Sequence, residues 1–170
     1  MNPSFHAVFV RLFDAHFNRV YRYLNRLSGE PDLAADIAQE AFVKLYERGS
    51  PPETPEAWLI TVATNLFRND RSKRARRTRL MTDARAEDLL ADPSPAPGAS
   101  LDDAKSGLRV RAVMQRLPER DQRMLLLCAE GYSYREIAAA LKLDEASVGT
   151  FLARAKRAFR TLYEGHSDAS

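Results

Sequence analysis

The sequence has few of the residues that build metal centres or reactive nucleophiles. It contains one cysteine and three histidines in 170 residues. His6, His16 and His166 are scattered along the chain, and Cys128 lies in the apolar run 124–128, which is typical of a small buried side chain. One cysteine cannot form an internal disulfide. With no metal-ligand spacing, activated nucleophile or glycine-rich phosphate loop, the sequence predicts a protein that is not an enzyme and has no catalytic residues, metal or cofactor.

Long apolar runs are also missing. No stretch approaches the roughly 20 apolar residues that a membrane-spanning helix needs. Near the start, Arg11, Asp14 and His16 interrupt the apolar residues, so the pattern of a secretory signal is not met. The sequence therefore predicts a cytoplasmic protein without membrane insertion.

Apolar residues recur at helical spacing in three segments of the first half. The first runs through Phe9 to Leu27, and the second from about Asp32 to Arg48, where Gly49 and two prolines end it. The third begins with Thr54 as N-cap and has Trp58, Leu59, Val62, Ala63 and Leu66 as its predicted inner stripe. No alternating strand pattern competes, so the fold class is predicted to be all-α.

The helical pattern is lost between about Thr82 and Gly107, where the chain becomes rich in proline, serine and glycine. It returns at Leu108. We therefore predict two small helical domains, 1–80 and 108–165, joined by a flexible linker at 81–107 and followed by a tail at 166–170.

A helix-turn-helix is predicted near the end of the chain. Ser133 and Glu136 have the spacing of a capping box, residues 142–144 supply a short turn, and Asp144 is placed to cap a second helix from about 145 to 163. Two short helices joined this closely suit the major groove of DNA. The alternative is an ordinary helical hairpin whose arginines are merely solvated.

The second helix of this pair has two distinct faces. The apolar face should hold the helix on its domain and comprises Val148, Phe151, Leu152, Ala155 and Phe159. The opposite face, called the DNA face below, carries Ser147, Thr150, Arg154 and Arg157, and small residues at 146, 149 and 153 allow close approach of the backbone. The candidate DNA-binding residues here are Ser147, Thr150, Arg154, Lys156 and Arg157.

The third helix also carries a polar and cationic surface. Thr61, Thr64 and Asn65 are followed by the basic segment, residues 68–79, in which seven cations are opposed by one acid. This concentration suits a phosphate backbone, although basic residues also complement the carboxyl end of a helix dipole. The candidate DNA-binding residues are Asn65, Arg68, Arg71, Arg74, Arg76 and Arg77.

The second helix has the opposite character. Its acidic face, defined by Asp36, Gln39, Glu40, Val43 and Glu47, repeats at spacings of three and four residues. An exposed valine among acids fits a protein-docking patch. It fits a plain solvated face equally well.

Taken together, three stretches resemble the extracytoplasmic-function sigma factors of bacterial RNA polymerase. They are DLAADIAQEAFVKLYER, PEAWLITVATNLFRNDRSKRARR and LPERDQRMLLLCAEGYSYREIAAALKLDEASVGTFLARAKRAFR, and they follow the order and separation of that family. The first resembles the polymerase-binding part of region two, the second its promoter-melting part and the third region four. Gly149 and Phe151 depart from the larger polar or basic residues of many relatives.

The resemblance implies partners and roles. Asp36, Gln39 and Glu40 would dock on core RNA polymerase. Asn65 and the following arginines would hold the minus-ten element of promoter DNA, with a flipped base captured beside the loop 49–54, and residues 147–157 would read the minus-thirty-five element.

Two further expectations follow from the resemblance. An anti-sigma factor is an expected partner, and the acidic linker, including Asp102 and Asp103, would thread the polymerase cleft. Its composition fits a flexible acidic linker without such a role equally well. A conventional transcription regulator with a helix-turn-helix is the alternative function, and it would bind DNA without polymerase.

Overall fold

The chain is built of α-helices. The computed structural model describes residues 3–82, 98 and 100–167, and within these ranges there are seven helices and no strand. The helices fall into two compact units, Met1–Pro93 and Ser94–Ser170. The predicted all-α fold of two small helical domains is confirmed.

The amino-terminal unit holds three helices: α1 (Pro3–Ser28), α2 (Pro31–Arg48) and α3 (Pro55–Met81). Pro31 and Pro55 start their helices, where a missing backbone N–H costs nothing. Gly49 ends α2 with φ of 73°, a left-handed conformation that favours glycine. Thr54 occupies the predicted N-cap position, but its side chain makes no capping hydrogen bond.

The core of this unit is aromatic and aliphatic. Phe42 of α2 is 2% exposed, and its ring meets Phe13 of α1 edge-on with centroids 5.1 Å apart. Tyr46 meets Phe9 in the same way at 5.0 Å. These contacts lock α1 against α2, and they fix which side of α2 remains outside.

The inner stripe of α3 differs from the prediction. The buried residues are Ala57, Leu59, Ile60, Ala63, Thr64 and Phe67, whereas the predicted Trp58, Val62 and Leu66 are half-buried. Thr64 was expected on the outer face but is 1% exposed. Its hydroxyl donates to the Ile60 carbonyl at 2.7 Å and lies 3.1 Å from the Tyr23 hydroxyl, so internal hydrogen bonds permit its burial.

The carboxyl-terminal unit holds four helices: α4 (Leu101–Gln115), α5 (Glu119–Ala129), α6 (Tyr134–Leu141) and α7 (Glu145–Ser167). Its largest fully buried side chains are Val113, Met124, Leu127, Ile137 and Val148, with at least one from each helix. Arg109 of α4 also holds α7, because its guanidinium donates to the Tyr163 carbonyl at 2.7 Å and its central carbon lies 4.0 Å from that ring's centroid.

Helix α4 begins within the segment predicted to be linker. Ser100 and Asp103 form a capping box: the Ser100 hydroxyl accepts from the Asp103 amide at 3.1 Å, and the Asp103 carboxylate accepts from the Ser100 amide at 3.3 Å. These local bonds start a helix where no apolar stripe marks one, since Leu101 is 82% exposed. Asp102 and Asp103 therefore lie in the first turn of α4, where carboxylates favour the helix dipole. The predicted linker residues 83–97 and 99 lie outside the described residues.

Candidate nucleic-acid interface

The helix-turn-helix begins with the predicted capping box. The Ser133 hydroxyl accepts from the Glu136 amide at 3.2 Å, and the Glu136 carboxylate accepts from the Ser133 amide at 2.6 Å. Ile137 and Ala138 are buried beneath α6. The amino end of α6 is thereby fixed by its own side chains, as the sequence indicated.

The turn between α6 and α7 is short and tightly bonded. Lys142 adopts the left-handed conformation, with φ of 55° and ψ of 50°, and the Leu143 amide donates to the Ala138 carbonyl at 2.9 Å. The Asp144 carboxylate then accepts from the Ala146 amide at 3.3 Å. This turn sets the angle at which α7 leaves α6.

Helix α7 has the two faces that its sequence indicated. Val148, Leu152 and Ala155 are buried, while Phe151 and Phe159 are half-buried. On the DNA face Thr150, Arg154 and Arg157 are exposed and Ser147 is half-buried. Hydroxyl groups near the amino end are followed by guanidinium groups, an order that suits base edges first and phosphates after.

Lys156 is exposed but does not share the DNA face. At 3.6 residues per turn it lies about 120° around the helix from Thr150. The structure brings the other four candidates of α7 together and leaves this lysine at the flank.

Gly149 has a neighbour that the sequence did not reveal. A β carbon added there would meet the Tyr134 ring at 3.5 Å, an ordinary contact distance. Tyr134 is 48% exposed, so its ring covers part of α7 beside the DNA face. Of the three small residues expected to allow backbone approach, Ala146 and Ala153 are exposed and Gly149 is half-buried.

A second arginine reaches α7 from another helix. The guanidinium of Arg120 on α5 lies 4.5 Å from the centroid of the Phe151 ring, and half of this arginine's side chain is exposed. Phe151, one of the two residues that depart from the resembled family, therefore has a cation packed against its ring. Sequence reasoning missed this pair because the two residues are distant in the chain and no periodicity connects them.

In the amino-terminal unit, α3 presents the other polar and cationic surface. Five of its six candidates are exposed: Asn65, Arg68, Arg71, Arg76 and Arg77. Among the described residues, no carboxylate forms an ion pair with Arg71, Arg76 or Arg77. The Arg71 guanidinium lies 5.7 Å from the centroid of the Phe67 ring one turn earlier, which ties its side chain along the helix. The surface is therefore accessible to a nucleic-acid backbone.

The sixth candidate, Arg74, is engaged by two carboxylates. Its Nη1 donates to both oxygens of Glu30, at 3.0 and 2.8 Å, and its Nε lies 2.8 Å from Asp70. The hydrogen bond to Glu30 is the main reason that the pKa of Arg74 is raised above its ordinary value. Its charge is already compensated within the protein.

The acidic face of α2 is exposed as a continuous strip. Asp36, Gln39, Glu40 and Glu47 are exposed, and Val43 is 53% exposed among them. On the other side of the helix Ile37, Ala41 and Leu45 are buried against the core. The face is therefore available to a partner protein, as one of the two interpretations of the sequence required.

Two site types are not found in the part of the chain that the structure describes. Residues 3–82, 98 and 100–167 contain no cluster of three or more histidine, cysteine or acidic side chains arranged to hold a metal ion. Among these residues no helix has both the length and the apolar character needed to cross a bilayer.

Two sequence families match the chain, one in each unit. The family described as Sigma-70 region 2 matches residues 12–77, and the family described as Sigma-70, region 4 matches residues 107–159. The first covers most of α1, α2 and α3. The second covers most of α4 and α7 together with all of α5 and α6.

Several bacterial sigma factors are similar to this chain. ECF RNA polymerase sigma factor SigE of Mycolicibacterium smegmatis is 33% identical over 89% of this chain and 60% of its own length. ECF RNA polymerase sigma factor EcfG of Rhodopseudomonas palustris is 32% identical over 78% of this chain and 70% of its own length. ECF RNA polymerase sigma factor SigL of Mycobacterium tuberculosis is 32% identical over 93% of this chain and 90% of its own length. The chain thus spans less than two thirds of SigE and nearly all of SigL.

A solved structure has the same fold. It is the sigma factor RpoE of Bartonella quintana, crystallised with the anti-sigma factor NepR, and it matches with a TM-score of 0.65 at 21% identity over 96% of this chain and 98% of its own. With region 2 in one unit, region 4 in the other and relatives matched over nearly their full length, the chain belongs to the extracytoplasmic-function family of RNA polymerase sigma factors.

Proposed function

We propose that this protein binds core RNA polymerase and directs it to promoters, where it melts the minus-ten element and reads the minus-thirty-five element. The observation that carries the proposal is the presence of two separate helical units that each expose a hydrogen-bonding and cationic helix surface, on α3 and on α7. Two such surfaces suit two elements of one promoter.

The amino-terminal unit supplies the melting surface in this proposal. Asn65 offers an amide that can bond a base edge, and Arg68, Arg71, Arg76 and Arg77 offer charge to the phosphates. A base leaving the stack costs a few kcal/mol and exposes its hydrogen-bonding edge. The loop 49–54, whose Pro52 is buried and whose other residues are mostly exposed, is the proposed site of capture.

The carboxyl-terminal unit supplies the duplex-reading surface. Helix α7 would enter the major groove with Ser147 and Thr150 towards the bases and with Arg154 and Arg157 towards phosphates or guanine. Arg120, held on the Phe151 ring, adds a cation beside that face. Lys156 at the flank is expected to contribute through charge and not through base contacts.

The acidic face of α2 is the proposed docking surface for core polymerase, through Asp36, Gln39 and Glu40. An anti-sigma factor is the proposed inhibitor, because the similar RpoE is found in complex with one. We place the protein in the cytoplasm with its polymerase. It has no catalytic role of its own in this proposal.

The residues between the two units complete the proposal. We infer that domain 1–80 and domain 108–165 act through a linker within 81–107, of which the part from Leu101 onward is helical. The acidic residues before it, including Asp83 and Asp92, are proposed to occupy the polymerase cleft.

Run-off transcription tests the proposal. Purified core polymerase should transcribe specific fragments of the source genome when the protein is added and fail to do so without it. The matched control is a variant with Asp36, Gln39 and Glu40 all changed to alanine, which should lose association with core polymerase while keeping its helical circular-dichroism spectrum. A chain that does not associate with core polymerase, even when separated from every inhibitor, would contradict the proposal.

The alternative function, a conventional helix-turn-helix regulator, is distinguished by a footprint. It requires the isolated protein to protect promoter DNA as strongly as it does with core polymerase present. The sigma-factor proposal requires weak protection by the protein alone and strong protection by the holoenzyme.

A further inference from the structure

Helix α3 continues well beyond the core of its unit. Phe67 is its last buried residue, at 7% exposed, and from residue 68 to residue 82 all side chains are exposed except the half-buried Asp70 and Thr78. Roughly four turns therefore carry the basic segment without packing beneath them. Such a segment needs some other contact to hold its direction relative to the core.

Arg74 makes that contact. Its Nη1 donates to both carboxylate oxygens of Glu30, which lies in the turn between α1 and α2. Its Nε forms an ion pair with Asp70, one turn earlier on α3, at 2.8 Å. For the described residues 71–82, the other side-chain hydrogen bonds stay within α3 and its C-cap residue, Thr82. The Thr78 hydroxyl donates to the Arg74 carbonyl, and the Thr82 hydroxyl donates to the Thr78 and Arg79 carbonyls. Within the described chain, the pair of Arg74 and Glu30 is thus the polar contact that joins this part of α3 to another element.

Glu30 is itself held in place. Its amide donates to the Ser28 hydroxyl at 3.1 Å, and that hydroxyl donates to the Glu30 carbonyl at 3.3 Å. The carboxylate therefore projects from a turn whose backbone is bonded on both sides. One guanidinium nitrogen donates to both of its oxygens while Nε of the same planar group lies 2.8 Å from Asp70, so the guanidinium is held between two carboxylates.

The neighbouring cations differ from Arg74. Arg71, Lys73, Arg76, Arg77 and Arg79 are exposed, and no carboxylate is bonded to them in the described structure. Arg74 faces two carboxylates, so a phosphate would have to displace both before gaining its charge. The phosphate-binding charge of the basic segment lies in these neighbours.

We infer that Arg74 is a positioning residue, which fixes the direction of the basic segment through Glu30 and does not bind phosphate. The inference rests on the proposed function, and it revises the sequence-based assignment of Arg74 to the DNA-binding set. The competing hypothesis is that Arg74 does bind phosphate, and that Glu30 occupies its guanidinium until DNA displaces the carboxylate. The two hypotheses predict opposite changes in promoter affinity when Glu30 is neutralised.

The first test measures binding of the holoenzyme to a promoter fragment identified by run-off transcription, as a function of salt. If Arg74 positions the segment, Glu30→Gln lowers affinity roughly two- to fivefold, the size expected for an exposed ion pair, and leaves the salt slope unchanged. If Glu30 keeps Arg74 from binding phosphate, Glu30→Gln raises the affinity for the promoter fragment and steepens the salt slope by about 0.7 to 0.9. Asp32→Asn, a neutralised and exposed acid two residues later, is the matched control for charge.

A variant that conserves the charge provides a second affinity test of the two hypotheses. Arg74→Lys keeps the cation but loses the planar fork that binds Glu30 and Asp70 together. A positioning role predicts that its affinity falls as in Glu30→Gln and that the double variant falls no further. A phosphate-binding role predicts affinity close to that of the unmodified protein. Arg77→Ala should lower the salt slope by about 0.7 to 0.9 and so calibrate the measurement.

A final measurement does not depend on polymerase. Spin labels on Asn18→Cys and Arg79→Cys, with Cys128→Ser, report the direction of the basic segment in the free protein. The distance distribution should broaden in Glu30→Gln and stay unchanged in Asp32→Asn. An unchanged distribution in Glu30→Gln overturns the inference, whereas a holoenzyme that fails to bind any promoter overturns the proposed function.

Discussion

The hydroxyl groups of Tyr23 and Thr64 lie 3.1 Å apart inside the amino-terminal unit, where Tyr23 is fully buried and Thr64 is 1% exposed. The bond joins α1 to α3. It also sets the rotation of α3 about its axis, because Thr64 must face α1 to make it. The exposure of Asn65, the next residue, follows from that rotation.

Thr64→Val should destabilise the amino-terminal unit by about 1 to 2 kcal/mol, because it keeps the shape of the side chain and removes the buried hydrogen bonds to Tyr23 and to the Ile60 carbonyl. Trp58, the single tryptophan, lies in this unit, so its fluorescence during urea unfolding reports on it selectively. Thr61→Val is the matched control, since the half-buried Thr61 hydroxyl donates to the Ala57 carbonyl of its own helix at 2.8 Å. Equal losses for the two variants would contradict the role assigned to the Tyr23 bond.

Asn65→Ala should impair promoter opening more than assembly of the promoter complex. The amide is exposed on α3 and is proposed to bond a base only after the duplex separates. Permanganate reactivity of the melted region measures opening, and a filter-binding or gel-shift assay measures assembly. Asn18→Ala, an exposed asparagine on α1, should change neither; normal opening by Asn65→Ala would remove this residue from the proposed site.

Arg154→Ala should weaken binding to the minus-thirty-five element by about 1 to 3 kcal/mol if the guanidinium binds a guanine edge. The residue is exposed in the middle of the DNA face. Competition binding of the holoenzyme to fragments with altered upstream elements measures the loss of discrimination. Arg160→Ala is the control: this exposed arginine lies later on α7 and about 120° around the helix, and it should leave discrimination intact.

Lys142→Gly should stabilise the helix-turn-helix by about 0.5 to 1 kcal/mol. Lys142 has φ of 55°, which strains an ordinary side chain, and glycine relieves that strain at a smaller cost in chain entropy. Hydrogen exchange of the α6 and α7 amides measures the change locally. Lys142→Ala retains a β carbon and should bring no gain, so a gain as large as that of glycine would rule out backbone strain as the cause.

Much of the fold could be predicted because its signals are local. The start of α3 at Pro55, the end of α2 at Gly49 and the Ser133 capping box depend on residues within one turn of each other. The two faces of α7 follow from a strong apolar period in the same way. Local chemistry of this kind is visible in a single sequence.

The errors fall where contacts between distant residues decide the outcome. Thr64 was assigned outward because it is polar, yet Tyr23 satisfies it from another helix. The contact between Arg74 and Glu30 was also not predicted, because Glu30 lies in a turn far away in the chain; the DNA-binding assignment of Arg74 itself stays a prediction. The start of α4 was missed for a different reason: its capping box is local, but it lies among prolines and lacks an apolar stripe.

Because α3 is one continuous helix, its polar and cationic surface responds differently to substitutions and to changes in length. Asn65 and Arg79 stand on one unbroken helix of 27 residues, about 21 Å apart along its axis. A substitution within the segment, other than at Arg74, alters one group and leaves the others in place. Inserting or deleting a single residue after Asn65 would instead turn every later cation by about 100° and separate Arg74 from Glu30. The length of this stretch should therefore be far less tolerant of variation than its composition.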